Sequence, residues 1–430
     1  MQKANATSAA GAAPTVSEQA RPLRRFPSTT LAQKLALIGP AFIAGAWQFG
    51  PGNLASAIEA GSAFGYSLIW VIVASTILMI FFTDMSVRVG IASPSSMIGT
   101  VKQTLGKPVG ILAGLGVFFI TLCFSVGNAA GAGLALSMLF GASPIMWTLF
   151  VTIAVGFILL ARNTYRLIER ILVALVATMA VGFVATAFMA RPDWGASLTG
   201  LLPTMPIGSE LLLVALVGTN FSINAAFFTS YATRAHQVRA DQYRDATITD
   251  TIPGIVAPGI MTALVIMVAA AVLGHTGERV ETLAQLASVF EPLAGPAGYY
   301  IFTIGFFGAA FSSMLANSTA GGTMLSDALG WGGSFDSART KLLVGVVLAF
   351  GLAVVTFTPG SRVQLIIFAQ AMTVLVAPLL GVLLVMMANN KLLGTMRNKW
   401  WQNLFAAIGL VSIFATSVLL ILSLTGVVAL

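Results

Sequence analysis

Gly50-Pro51-Gly52-Asn53 interrupts an apolar run extending from about residue 35 to residue 60, and two glycines around a proline cannot sustain helical hydrogen bonding through the centre of a bilayer. A broken helix is expected there. Freed carbonyls and amides are tolerated at that depth only where they line a cavity, as in the midplane sites of many secondary transporters. A packing kink is the competing reading, since kinks at Pro and Gly are common.

Outward from the break the composition is that of a membrane protein. The chain of 430 residues is 57% hydrophobic and only 8% charged, where a soluble domain carries about 25% charge, and its mean hydropathy is +0.92. A water-soluble globular protein is excluded. Apolar stretches as long as 108–140 and 404–430 exceed the roughly 20 residues a spanning helix needs, and runs such as Leu342 to Phe357 lack the alternation of a membrane barrel. Eleven helical spans are expected, near 35–60, 64–87, 108–140, 144–161, 167–190, 211–233, 252–274, 296–325, 342–357, 364–388 and 404–428. With the amino terminus in the cytoplasm, all of the 22 Lys and Arg except Arg191, Arg279 and Arg362 fall on the inner side. This places the carboxyl terminus outside and the chain in the cytoplasmic (inner) membrane. Residues 1–33 read as a disordered cytoplasmic tail, and 34–430 as a single transmembrane domain. The bilayer is the one macroscopic partner expected; the +8 net charge follows loop topology and does not point to nucleic acid. The single Cys123 supports no disulfide framework.

Thr219-Asn220-Phe221-Ser222-Ile223-Asn224 places a second polar interruption in the sixth span. Polar groups in hydrocarbon are costly without a partner or water, and spans one and six correspond if five helices repeat in inverted orientation. Interhelical hydrogen bonding is the competing reading. Ser125 and Asn128 in span three, Ser312, Ser313, Asn317, Ser318 and Thr319 in span eight and Gln370 in span ten are further polar positions. Gly110/Gly114 and Gly127/Gly131 read as helix-packing contacts. His236 and His275 read as surface histidines too far apart to pair on a metal. All 14 acids fall in tails, loops or near span ends, Glu59, Asp84, Glu169 and Asp327 among the last, so none is left for the midplane.

These residues together resemble a family. Gly39-Pro40-Ala41-Phe42-Ile43-Ala44, Pro51-Gly52-Asn53-Leu54-Ala55, Ala60-Gly61 and Phe64-Gly65-Tyr66 resemble the first helix of the NRAMP divalent-metal transporters. Gly131 to Gly141, Ala309 to Gly322 and Gln370 through Pro378-Leu379-Leu380 follow in the same order. The resemblance implies an all-α integral membrane protein of LeuT-type fold, an inverted 5+5 repeat with broken helices 1 and 6, and about eleven spans. It implies a secondary transporter rather than an enzyme.

The family's chemistry is altered. Its first-helix Asp-Pro-Gly-Asn has Gly50 at the Asp position and keeps Asn53; its sixth-helix Met-Pro-His appears as Ser222-Ile223-Asn224. A further histidine corresponds to Thr229, the third-helix acids of the proton path to Ser125 and Asn128, and the tenth-helix glutamine to Gln370. No resident metal or cofactor is expected. The candidate substrate site is Gly50, Asn53, Ser222, Asn224, Thr229 and Gln370, with the helix break at Gly50, Pro51 and Gly52. Without a soft sulfur or a carboxylate, the residues favour a small organic acid, amino acid or similar polar solute received at a half-helix amino terminus. A divalent ion (Mn, Fe or Mg), as in the parent family, is the alternative, and a non-transporting receptor a further one. Na⁺ or H⁺ are the open options for a co-transported ion.

Overall fold

The structure, a computed structural model, describes residues 39–41, 45, 48–160, 165–274, 280–334 and 337–426, without the side chains of 165–176. The expected tail over 1–33, Arg162, His275, Arg279, Asp336 and the side chains of Arg166, Glu169 and Arg170 lie outside the described residues.

Among the described residues the regular structure is entirely helical. Residues 40, 41, 45 and 48 are helical; the backbone then opens at Gly50, extended at φ −89°, ψ −178°, and α1 (Pro51–Phe64) begins with proline at its first position. Proline suits that position because its fixed φ is helical and its missing N–H would have had no partner. There follow α2 (Ile69–Ala92), α3 (Met97–Leu105), α4 (Lys107–Phe140), α5 (Pro144–Leu160) and α6 (Tyr165–Ala190). The second half holds α7 (Glu210–Asn220), α8 (Ile223–Ala235), α9 (Ile252–Leu273), α10 (Pro296–Ala328), α11 (Ala338–Phe357), α12 (Arg362–Met372) and α13 (Ala377–Ala388). α14 (Trp400–Leu424) closes the chain.

The two halves share features. α1 and the pair α7–α8 are the broken spans. α4 and α10, of 34 and 33 residues, are the longest helices, and each opens on a positive-φ glycine, Gly106 at 94° and Gly295 at 52°, with proline in its first turn. These two pack on each other more closely along their length than any other helix pair among the described residues. At 1.5 Å per residue each is about 50 Å long, well beyond a hydrocarbon core of about 30 Å.

Among the described residues seven segments, the α7–α8 pair counted as one, are long and apolar enough to cross a bilayer, and eight when the α12–α13 pair also counts as one. Pro144–Leu160 falls just short, and the first and fifth expected spans lie partly outside the described residues. The expected continuous span over 364–388 is instead bent by 45°, because Pro378 near the start of α13 removes an N–H and crowds the preceding turn. The loops carry short helices, Trp194–Thr199, Leu283–Ala287 and Glu291–Ala294 among them.

Candidate functional site

Two of the breaks and three unbroken segments meet at one small cavity. The first span contributes Gln48, Gly50, Gly52 and Asn53; α4 contributes Phe124 and Asn128; the α7–α8 junction Thr219, Ser222 and Asn224; α10 Ser313 and Asn317; α12 Gln370. For the centre of a water-sized sphere its volume is about 20 Å³, room for one or two waters or an ion. All its polar side chains are buried.

The α7–α8 break forms without proline or glycine. Phe221 (φ −103°, ψ 59°) and Ser222 (φ −80°, ψ 93°) leave the helical region, and α8 restarts at Ile223. Packing explains part of this. Asn220 Nδ2 donates across to α2, to Ile72 C=O at 3.2 Å, Ser75 Oγ at 2.7 Å and Thr76 Oγ1 at 2.9 Å. The polar cluster of span six is thus divided: Asn220 holds helices together, while Thr219, Ser222 and Asn224 face the cavity. Ser222 Oγ donates to Asn224 Oδ1 (2.6 Å), Asn224 Nδ2 to Asn317 Oδ1 (3.4 Å), and Asn317 Nδ2 to Thr121 C=O (3.2 Å).

On the other wall, Gln370 is seated between two glycines. A Cβ on Gly52 would lie 2.2 Å from Gln370 Cδ, and one on Gly127 2.6 Å from its Nε2. Gly127 therefore makes room for a cavity side chain, and Gly131 likewise admits Pro51; Gly114, against Ala328, is the packing contact expected. Gln48 Nε2, Asn53 Nδ2 and Gln370 Oε1 are buried with no hydrogen-bond partner in the structure.

Six of the candidate positions, Gly50, Gly52, Asn53, Ser222, Asn224 and Gln370, converge on the cavity, and so does Asn128. Thr229 does not: its hydroxyl donates to Ala225 C=O one turn back along α8 (2.9 Å). Ser125 turns toward α11, its hydroxyl bound to Leu122 C=O (2.7 Å) and its carbonyl against Gly351. Pro51 serves the break through its ring and packs on Gly131. Gln48 and Phe124 were missed. Gln48 is an isolated amide two residues before Gly50, and Ser313 and Asn317 are four apart on one helical face, which is the signal that could have assigned them to the site.

None of the described acids lines the cavity, and no three His, Cys, Asp or Glu side chains among the described residues could hold a metal ion. The bonded acids stand toward the two ends of the spans. Spans alternate in direction, so the start of span one, the ends of α2, α8 and α10 and the start of α14 share one face. There Asp250 accepts from the Gly39 and Ala41 amides (2.8 Å each). Asp327 accepts from Ser96 Oγ (2.5 Å) and Tyr231 Oη (2.6 Å). Asp84 accepts from Arg88 Nε (2.9 Å) and Tyr243 Oη (2.6 Å), while Arg88 also donates to Met396 C=O (2.7 Å) and Asn398 Oδ1 (2.8 Å). On the opposite face Gln364 Nε2 donates to Glu59 Oε2 (2.9 Å) and Val280 C=O (3.1 Å).

The chain and its fold have known counterparts. A divalent metal cation transporter, MntH, of Klebsiella pneumoniae is 28% identical over 407 residues, covering 92% of this chain and 96% of the relative. The crystal structure of a mutant manganese transporter from Eremococcus coleocola superposes with a TM-score of 0.77 at 17% identity, covering 93% and 90% of the two chains. A nucleobase-cation-symport-1 transporter, Mhp1, in a closed conformation gives 0.55 at 16% identity over 89% and 92%. The fold is therefore that of LeuT-type carriers. Residues 41–423 match the model for natural resistance-associated macrophage protein-like chains, and with that the chain belongs to the Nramp family, a multi-pass membrane secondary transporter and not an enzyme.

Proposed function

We propose that this carrier moves a divalent metal cation by alternating access around the cavity, and that it takes the ion with hard, uncharged oxygen ligands. The observation that carries the proposal is the cavity itself, about 20 Å³ lined by carboxamides and hydroxyls, with Gln370 Oε1 left without a donor. An ion fits that space. An amino acid or organic acid does not fit it in this conformation, and the curated relative named for its divalent metal cargo supports the ion reading over the organic solute.

Helix ends do not reverse this preference. The amino ends of α1 and α8 present about half a positive charge each, but the carboxyl ends of the preceding half-helices meet the same breaks with about half a negative charge each. To first order these offset, so the side chains decide the sign. Carboxamide oxygens are ligands for Mg²⁺, Ca²⁺ and Mn²⁺ rather than for softer ions. With neither thioether nor carboxylate, the site binds weakly and discriminates little among hard divalent ions. The asymmetry of basic residues supports an orientation with the amino terminus in the cytoplasm.

Uptake into proteoliposomes tests this. Mn²⁺ and Mg²⁺ are expected to enter and to compete within about tenfold of each other. A preference for Mn²⁺ above about a hundredfold would contradict the hard-ligand site, and uptake of an organic acid with no cation uptake would contradict the ion reading.

A further inference from the structure

Asn53 lines the cavity, and its orientation is set from outside it. Asn53 Oδ1 lies 2.8 Å from Thr262 Oγ1, and that same hydroxyl lies 2.8 Å from the carbonyl oxygen of Pro258, one turn earlier on α9. Thr262 is fully buried. A hydroxyl has one proton to give. If it goes to Asn53, two oxygens, Thr262 Oγ1 and Pro258 O, face each other at hydrogen-bond distance with no proton between them. Asn53 Nδ2 is then also buried without an acceptor.

Half a turn of the carboxamide removes both faults. Nδ2 donates to Thr262 Oγ1, the Thr262 proton goes to Pro258 C=O, and Asn53 Oδ1 takes the unpartnered place on the side away from Thr262. The two orientations have the same shape, so the hydrogen-bond network alone distinguishes them. The opposite wall is ordered in the same way. Thr121 C=O can only accept, so Asn317 donates to it, Asn224 donates to Asn317, and Ser222 donates to Asn224. On each wall a main-chain carbonyl fixes the sense of the chain of amides.

We propose that Thr262, which does not line the cavity, is a positioning residue that holds the Asn53 carboxamide with its oxygen toward the cargo and so makes the cavity cation-selective. This rests on the cation reading above. With Thr262→Val the shape is kept and the anchor is lost, so Asn53 has no preference between presenting oxygen and presenting N–H. Groups that orient a metal ligand in this way contribute about 10–100-fold in affinity.

The test is calorimetric titration of Mn²⁺ and of Mg²⁺ into the purified full-length protein, its variants T262V, T262S and T262A, and N53A as the site control. The dissociation constant should rise about 10–100-fold in T262V and T262A and stay within about threefold of the native value in T262S, which keeps the hydroxyl. Native affinity in T262V alongside loss in N53A overturns the role of Thr262 and leaves the cation site standing. A loss in T262S as large as that in T262V also overturns it, because bulk rather than the hydroxyl is then what counts. If T262V does not fold, T262A against T262S carries the same comparison. Failure of the native protein to bind either ion overturns the cation reading and this inference with it.

Discussion

Gly52 shows how closely the cavity is built. A methyl group there would sit 2.2 Å from the Gln370 carboxamide carbon, with α4 behind Gln370 at Gly127. Gly52→Ala is therefore expected to destabilise the protein by about 1–3 kcal/mol through overpacking and to abolish cation binding. Removing the obstructing side chain in Gly52→Ala/Gln370→Ala should recover most of the stability but not the binding. Thermal melts of the two single variants and the double variant measure the coupling; additive losses would show that the two residues do not touch. Gly50 to Asn53 was legible because proline and glycine act on the backbone directly. The roles of Gln48 and Asn317 were not, since a buried amide in an apolar helix serves packing or binding equally well until its neighbours are known. Thr229 and Asn224 lie five residues apart on α8, and only the backbone rotation at Ser222 decides which of them faces the cavity.

The half-helix on the amino-terminal side of the first break is held by an acid, a group that the cavity itself lacks. Asp250 caps the start of span one through the Gly39 and Ala41 amides, so Asp250→Ala should cost about 1 kcal/mol. It should also free that half-helix, raising the labelling rate of a cysteine introduced at Gln48 in a cysteine-free background; an unchanged rate would show that the cap does not govern closure. Arg88 is a stronger tie, buried and bound at once to Asp84, Met396 and Asn398. Arg88→Ala leaves Asp84 as a buried charge without its counter-ion, with a loss of about 3–5 kcal/mol expected in unfolding experiments. Arg88→Lys should recover little of it, because an ammonium cannot reproduce three bonds made by a planar fork. Recovery to native stability by lysine would mean that only charge is required. At this scale the sequence showed where apolar segments lie and that the first of them breaks at Gly50, but not the bend in the tenth. The 45° turn between α12 and α13 depends on how Pro378 is accommodated by its neighbours.

Across the whole molecule the inverted repeat brings two interrupted spans together, and the two longest helices, α4 and α10, brace them from one side. The repeat was legible from the spacing of the two polar interruptions and from the family resemblance. The preference of the cavity was not, because an absence of acids describes an anion site and a neutral oxygen-lined site equally well. The network of donors and acceptors on which the cation proposal rests exists only once residues from five segments are packed together. The most direct measurement is anomalous diffraction from crystals of the full-length protein grown with Mn²⁺. The account predicts a manganese peak between the two breaks, about 2.0–2.6 Å from Asn53 Oδ1 and Gln370 Oε1. Manganese bound only at the acids near the span ends, with the cavity holding water or an organic carboxylate, would contradict it.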